Sequence, residues 1–170
     1  RFDATLVDGD RVPRSGGALL VGNHALLGMD SVVLAPLLQL ETRRTPRWLA
    51  ERNIFRVPLA TTVLGAVGAI PGEPAGAVEL LCEGHLVAVY PGGVDDSFKL
   101  ASEAYRLMWR DRTGFAKVAM RAGVPIVPIA ATGVDELFSV IAREPWVGRT
   151  LLGSSRYDLP VVLSPLPRRV

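Results

Sequence analysis

Two histidines occur among the 170 residues, and one of them, His24, stands where its chemistry would be most useful. The apolar run Ala18 to Val21 reads as a short buried strand that ends on Asn23-His24. Asp30 follows, just before the apolar segment Ser31 to Leu40, which reads as a helix. Active sites of α/β proteins gather at the carboxyl ends of strands. An imidazole with a carboxylate nearby is suited to taking a proton from a hydroxyl near neutral pH. The same residues fit a plainer reading, with Asn23-His24 as a turn and Asp30 as the N-cap of the following helix. Spacing alone leaves the two readings level. If Asp30 orients His24, the chain must bend between them, because residues six apart do not share a face of a regular helix. Gly28 supplies the freedom to bend.

The elements that would carry these residues alternate along the chain. Thr5 to Val7 reads as a strand before the turn Asp8-Gly9-Asp10, and Arg47 to Ala50 as a second buried strand. Phe55 to Val67 is apolar with Pro58 near a helix start, and Ala69-Ile70 is a short strand stopped by Pro71-Gly72. Glu73 to Glu83 predicts a helix closed by Gly84, and His85 to Tyr90 a strand cut off by Pro91-Gly92-Gly93. Ala101 to Ala122 predicts two helices separated at Thr113-Gly114. A loop and strand span Gly123 to Ala130, a helix spans Asp135 to Ala142, and Val161 to Leu163 forms an edge strand in a Pro-rich tail. Short apolar strands alternating with helices predict an α/β class, with a central, mostly parallel sheet flanked by helices.

Composition narrows the function. A chain with 49% hydrophobic and 21% charged residues is globular, and its length suits one domain over residues 1–170. The net charge is +2, and apart from Lys99 and Lys117 the basic residues are all Arg. They are scattered and not interleaved with aromatics, so they leave no nucleic-acid footprint. Mean hydropathy is +0.28, which with the scattered Arg fits contact with a membrane surface. The single cysteine, Cys82, lies in an apolar run and reads as a small core residue; it excludes a disulfide framework and fits a reducing compartment. One Cys and two His cannot build a structural zinc site, and no metal is expected. No segment reaches the roughly 18 apolar residues that span a bilayer. The chain begins at Arg1 without a methionine, so a terminal anchor beyond either end stays open. Gly-x-Ser-x-Gly, a phosphate loop and Gly-x-Gly-x-x-Gly are all missing.

Taken together, Val21-Gly22-Asn23-His24 with Asp30, Gly68 to Gly72, Ala88-Val89-Tyr90-Pro91-Gly92-Gly93 and Gly123 to Pro128 resemble, in order and spacing, the four motifs of the glycerolipid (lysophospholipid) acyltransferases. The resemblance runs from about Leu6 to Phe138. It departs from the family pattern in three places. Five residues separate His24 from Asp30 where four are usual; Gly92 and Asp95 stand where a Glu and an Arg are usual; and Ile70-Pro71-Gly72-Glu73 lacks the usual Arg. In the family those arginines are associated with gripping an acceptor phosphate, a part that Arg112 or Arg121 would have to take here. With Trp109 to Lys117, the pattern looks closer to the branch resembling diacylglycerol acyltransferases and phytyl ester synthases, which acylates neutral alcohols.

The resemblance implies an O-acyltransferase that moves a fatty acyl group from acyl-CoA or acyl carrier protein to a lipid hydroxyl, with no cofactor beyond that co-substrate. His24 would be the general base and Asp30 its orienting partner. No Ser or Cys is evidently paired with His24, so the acceptor would attack the thioester directly, without an acyl-enzyme. Tyr90, Pro91, Gly92 and Gly93 would contact substrate, with backbone N–H groups of the two glycines meeting the oxyanion. Asp96 either orients the acceptor hydroxyl or is one of a solvated pair with Asp95. His85 reads as structural. The expected partners are acyl-CoA, a lipid acceptor and a membrane surface, on the cytoplasmic side. The rival readings are a non-catalytic lipid-binding or scaffold protein of the same fold, a lysophosphatidate acyltransferase, and a thioester hydrolase.

Overall fold

The computed structural model describes residues 3–56, 61, 62, 64, 65, 67–136, 138–144, 146 and 159–163. The apolar stretch from Leu59 to Val67 falls partly outside the described residues, as do both ends of the chain. The chain divides into two compact units: Arg1–Gly22, Ser31–Pro91 and Arg112–Ile129 form the first, and Asn23–Asp30, Gly92–Asp111 and Ala130–Val170 the second.

The first unit is built on a five-stranded sheet, β1 (Ala18–Gly22), β2 (Arg47–Ala50), β3 (Ala69–Pro71), β4 (Leu86–Val89) and β5 (Ile126–Ile129), in the order β3-β2-β4-β1-β5. Every pairing in it is parallel, which is the α/β architecture the sequence implies. Strand β1 lies between β4, with Ala18 opposite Leu86, and β5, with Gly22 opposite Ile129. A parallel strand covered on both faces must be apolar without alternation, and β1 is buried at all five positions. Strand β5 pairs on one side only, which is why Pro128 is tolerated within it.

Helices complete this unit. From Ser31 onward, α1 (Met29–Thr42) sends Leu34, Ala35 and Leu38 into a core with Leu20, Trp48 and Leu86. Helix α2 (Pro74–Cys82) starts on a proline, whose missing N–H costs nothing in the first turn, and packs against α4 (Gly114–Ala122). Both end in a left-handed glycine, Gly84 at φ 88° and Gly123 at φ 64°. The next N–H bonds back into the last turn in each case, His85 to Leu80 O at 2.9 Å and Val124 to Ala119 O at 3.2 Å. Cys82 is exposed at the end of α2, not buried as its apolar neighbours suggest. His85 Nε2 lies 3.6 Å from Glu83 Oε2.

One arginine ties the loops that feed the two central strands. Arg44 donates to the carbonyls of Pro13 (2.6 Å), Gly16 (2.7 Å) and Gly84 (2.6 Å), just ahead of β1 and β4. Burial lowers the guanidinium pKa from its ordinary value.

The second unit collects the segments that follow the carboxyl ends of β1, β4 and β5 in the chain. It contains the 3-10 turn Leu26–Gly28, the short helix α3 (Gly93–Ser97), a 3-10 turn at Ala101–Glu103, and an antiparallel pair, β6 (Ser139–Glu144) and β7 (Leu159–Leu163). Three readings of the sequence are corrected. Thr5 to Val7 is not a strand. The helix expected at Asp135 to Ala142 is a turn followed by β6, because Ser139 to Ile141 finds a strand partner in β7 that single-segment pattern cannot anticipate. Of the two helices expected within Ala101 to Ala122, only Gly114–Ala122 is an α-helix.

Replacing Arg44 by Met removes three charge-assisted bonds and should lower the unfolding free energy by about 3 kcal/mol in urea titrations. A loss under about 0.5 kcal/mol would show that the loops hold themselves.

Candidate active site

The turn between β1 and α1 does what the spacing demands. Gly28 adopts φ 75°, its N–H bonds to Ala25 O at 3.1 Å, and α1 begins at Met29. The bend brings His24 Nδ1 to 3.0 Å from Asp30 Oδ2. Asp30 is therefore inside the first turn of α1, not its N-cap. Its side chain is 2% exposed, against 19% for His24. The other oxygen, Oδ1, is buried without a hydrogen bond among the described residues. A buried carboxylate with so few donors favours the tautomer in which Nδ1 carries the proton and points it at Oδ2. The lone pair is then on Nε2, the basic nitrogen.

Asn23 is more than a turn residue. Its amide donates to Ala131 O at 2.9 Å and accepts from Ala131 N–H at 2.8 Å, imitating a backbone pair.

Asp96 is wholly buried. Its Oδ2 accepts the backbone N–H of His24 at 2.8 Å, and Oδ1 accepts the Met108 N–H at 3.3 Å. Lys99 Nζ lies 3.4 Å from Asp96 Oδ1 and 3.0 Å from Asp135 Oδ1, and donates to Arg106 O at 3.3 Å. The ammonium thus makes two hydrogen bonds and a further ion pair. Asp135 Oδ2 takes the Tyr105 N–H at 2.8 Å, and the Tyr105 hydroxyl bonds to Glu136. That hydrogen bond, more than its slight desolvation and the charges of Glu136 and Asp135, raises the Tyr105 pKa. Sequence reading passed over Lys99 and Asp135 as a pair. The signal available was a rare lysine in an arginine-rich chain, set between Phe98 and Leu100.

The remaining site candidates are divided. Gly92 and Gly93, at φ −65° and 52°, open α3 in the second unit, with Asp96 one turn on. Tyr90 and Pro91 belong to the first unit. There Tyr90 stacks on Trp48 with ring centroids 6.0 Å apart, and its hydroxyl accepts from Ser31 at 3.1 Å. The Pro91 carbonyl accepts from Arg112 at 3.0 Å, whereas Arg121 is exposed on the last turn of α4. Asp95 lies 3.8 Å from Arg110. A cavity of about 20 Å³, the size of a water, is lined by His24, Asp96, Ser97, Lys99 and Asp135 on its polar side and by residues such as Leu26 and Phe138 on its apolar side.

Residues 4–132 match the model of the family described as Acyltransferase. The chain belongs to the acyltransferase family. It is 33% identical over 129 residues to the bovine "DGAT1/2-independent enzyme synthesizing storage lipids", covering 76% of this chain and 38% of that one. An uncharacterized protein of Mycobacterium tuberculosis is 31% identical over 171 residues, covering 94% of this chain and 48% of its own. The chloroplastic phytyl ester synthase 2 of Arabidopsis thaliana is 32% identical over 154 residues, covering 81% and 22%. The chain thus spans under half the length of each of these relatives. No solved structure matches it. Among acyltransferases, these relatives place it with the branch named for storage lipids and phytyl esters.

Glycine at position 92 has a local reason. A Cβ there would overlap the Asp96 side chain. Gly92→Ala should therefore lower Tm by about 4–8 °C, the effect of an overpacking cost in a chain of this size. An unchanged melting curve would contradict this packing.

Proposed function

We propose that the protein is an O-acyltransferase that moves a fatty acyl group from acyl-CoA, or from acyl carrier protein, to a neutral lipid hydroxyl at a membrane surface. The observation that carries the reading is the His24–Asp30 pair, closed at 3.0 Å with the imidazole partly open and the carboxylate buried.

In this mechanism His24 Nε2 accepts the acceptor's hydroxyl proton as its oxygen attacks the thioester carbonyl carbon. A C–O bond forms, the carbonyl becomes an oxyanion, and backbone N–H groups around Gly92-Gly93 stabilise it. Collapse breaks the C–S bond, and the imidazolium returns the proton to the CoA thiolate. Asp30 holds Nδ1–H and stabilises the imidazolium. General base catalysis of this kind contributes about 100- to 10,000-fold. Ser97, the serine lining the cavity, gives its hydroxyl proton to Ala25 O at 2.8 Å, which supports direct attack without an acyl-enzyme.

Two features favour a neutral acceptor. The arginines that the family associates with an acceptor phosphate are absent from the second and third motifs. Lys99, the cation lining the cavity beside His24, is already paired with two carboxylates. Membrane contact is supported by α1, whose Val32, Pro36 and Leu40, four apart along one stripe, are exposed, Leu40 at 78%. Among the described residues no helix is long and apolar enough to cross a membrane. The exposed Cys82 thiol suits the reducing cytoplasmic side.

Long-chain acyl-CoA should be offered with diacylglycerol, monoacylglycerol, a long-chain alcohol, lysophosphatidate and a lysophospholipid in turn, with lipid products and intact protein mass followed by mass spectrometry. The account predicts acyl transfer to the neutral acceptors at least about tenfold faster than to lysophosphatidate, a difference of roughly 1.4 kcal/mol in transition-state binding, with no acylated protein. Faster transfer to lysophosphatidate would overturn the neutral-acceptor reading, and acceptor-independent CoA release would mark a hydrolase.

A further inference from the structure

The second unit buries more charge than the acyl-transfer step uses. Asp96 has no solvent exposure and Lys99 is 7% exposed, yet neither is the general base nor its partner. A carboxylate removed from water needs donors or a cation beside it, and breaking a buried ion pair is costly. Lys99 is that cation. Its charge keeps Asp96 an acceptor, and Asp96 in turn holds the backbone N–H of His24 at 2.8 Å.

The opposite side of the lysine is equally constrained. Asp135, at 3.0 Å, balances its charge and fixes the Tyr105 N–H, while Arg106 O and Met108 N–H bond to Lys99 and Asp96. Residues 105–108 therefore wrap the ion cluster by three backbone bonds. That segment is strained at its start, where Tyr105 at φ 64° is left-handed without being glycine, and Arg110 at φ 52°, two residues past its end, is another such residue. A strained turn persists only while its surroundings hold it, and here the surroundings are the cluster.

We propose that Lys99 is a positioning residue for His24. It acts through Asp96 and fixes the backbone from which the imidazole projects, while Asp30 fixes the ring. The proposal rests on the acyl-transfer reading only for its kinetic consequence. Neutralising Lys99 leaves Asp96 and Asp135 as buried acids without a counter-ion. Asp96 then turns away, and the His24 N–H loses its acceptor.

The test compares Lys99→Met, Lys99→Gln and Lys99→Arg by steady-state kinetics and by backbone amide hydrogen exchange. Displacing a catalytic group by about 1 Å costs on the order of 100-fold. Lys99→Met should accordingly lower kcat by about 10- to 100-fold while KM for acyl-CoA stays within about twofold. The His24 amide should exchange at least about tenfold faster, with the amides of β1 unchanged. Lys99→Arg should recover part of kcat and of the His24 protection, because it keeps the charge. Lys99→Gln, neutral but still a donor, covers the case in which the Met variant fails to fold. A folded Met or Gln variant with wild-type kcat and a slowly exchanging His24 amide would overturn the proposal. If the wild type shows no acyl transfer at all, the function proposed above fails, and the exchange rates alone decide the role of Lys99.

Discussion

The constraint on which the site depends is a carboxylate that has almost no water. Asp30 is 2% exposed and has one oxygen without a donor among the described residues, so its satisfaction rests on the other oxygen's bond to His24. A buried carboxylate of this kind costs several kcal/mol unless it is paired, about as much as a small domain has to spare. The pairing in turn dictates the backbone. Residues six apart meet only if the chain turns between them, and Gly28 at φ 75° is where it turns. One electrostatic need thus fixes a glycine, a 3-10 turn and the start of α1.

The sheet of the first unit is itself tightly held. Strand β1 is buried along its whole length and paired on both sides, so Gly22, the last residue before the turn, has little freedom. Arg44 fixes the opposite ends of β1 and β4 by three carbonyl bonds, keeping the two central strands in register. Within the second unit the buried Asp96 holds the His24 backbone, while Asn23 and Ala131 lock each other by two bonds. Side chain and main chain of His24 are thus fixed by different carboxylates.

Much of the first unit was legible in the sequence because its signals are local. Apolar runs of strand length, Pro74 at a helix start, and Gly84 and Gly123 at helix ends each act within a few residues, and apart from Thr5 to Val7 the described strands fall where those signals put them. The His24–Asp30 juxtaposition was legible for the same reason, since six residues and a glycine suffice to close it. What escaped were relations across long stretches of chain. The β6–β7 pairing makes a strand of Ser139–Glu144, much of which reads as helix in its own pattern, and Lys99 meets Asp135 thirty-six residues away through burial that no window reveals. Cys82 was misjudged because apolar neighbours on a helix say which face is buried only when the packing partner is known. Asp96, which in the sequence reads either as an acceptor-orienting residue or as one of a solvated pair with Asp95, is wholly buried.

Under the proposed function the His24 imidazole, oriented by Asp30, activates the acceptor hydroxyl. The most direct measurement is the rate of acyl transfer from long-chain acyl-CoA to an alcohol acceptor by wild type, His24→Ala and Asp30→Asn, each checked for an intact fold by circular dichroism. The account predicts a fall of about 100- to 10,000-fold for His24→Ala and a substantial but smaller one for Asp30→Asn, which leaves the base in place but unoriented. A folded His24→Ala protein that transfers acyl groups at the wild-type rate would contradict it.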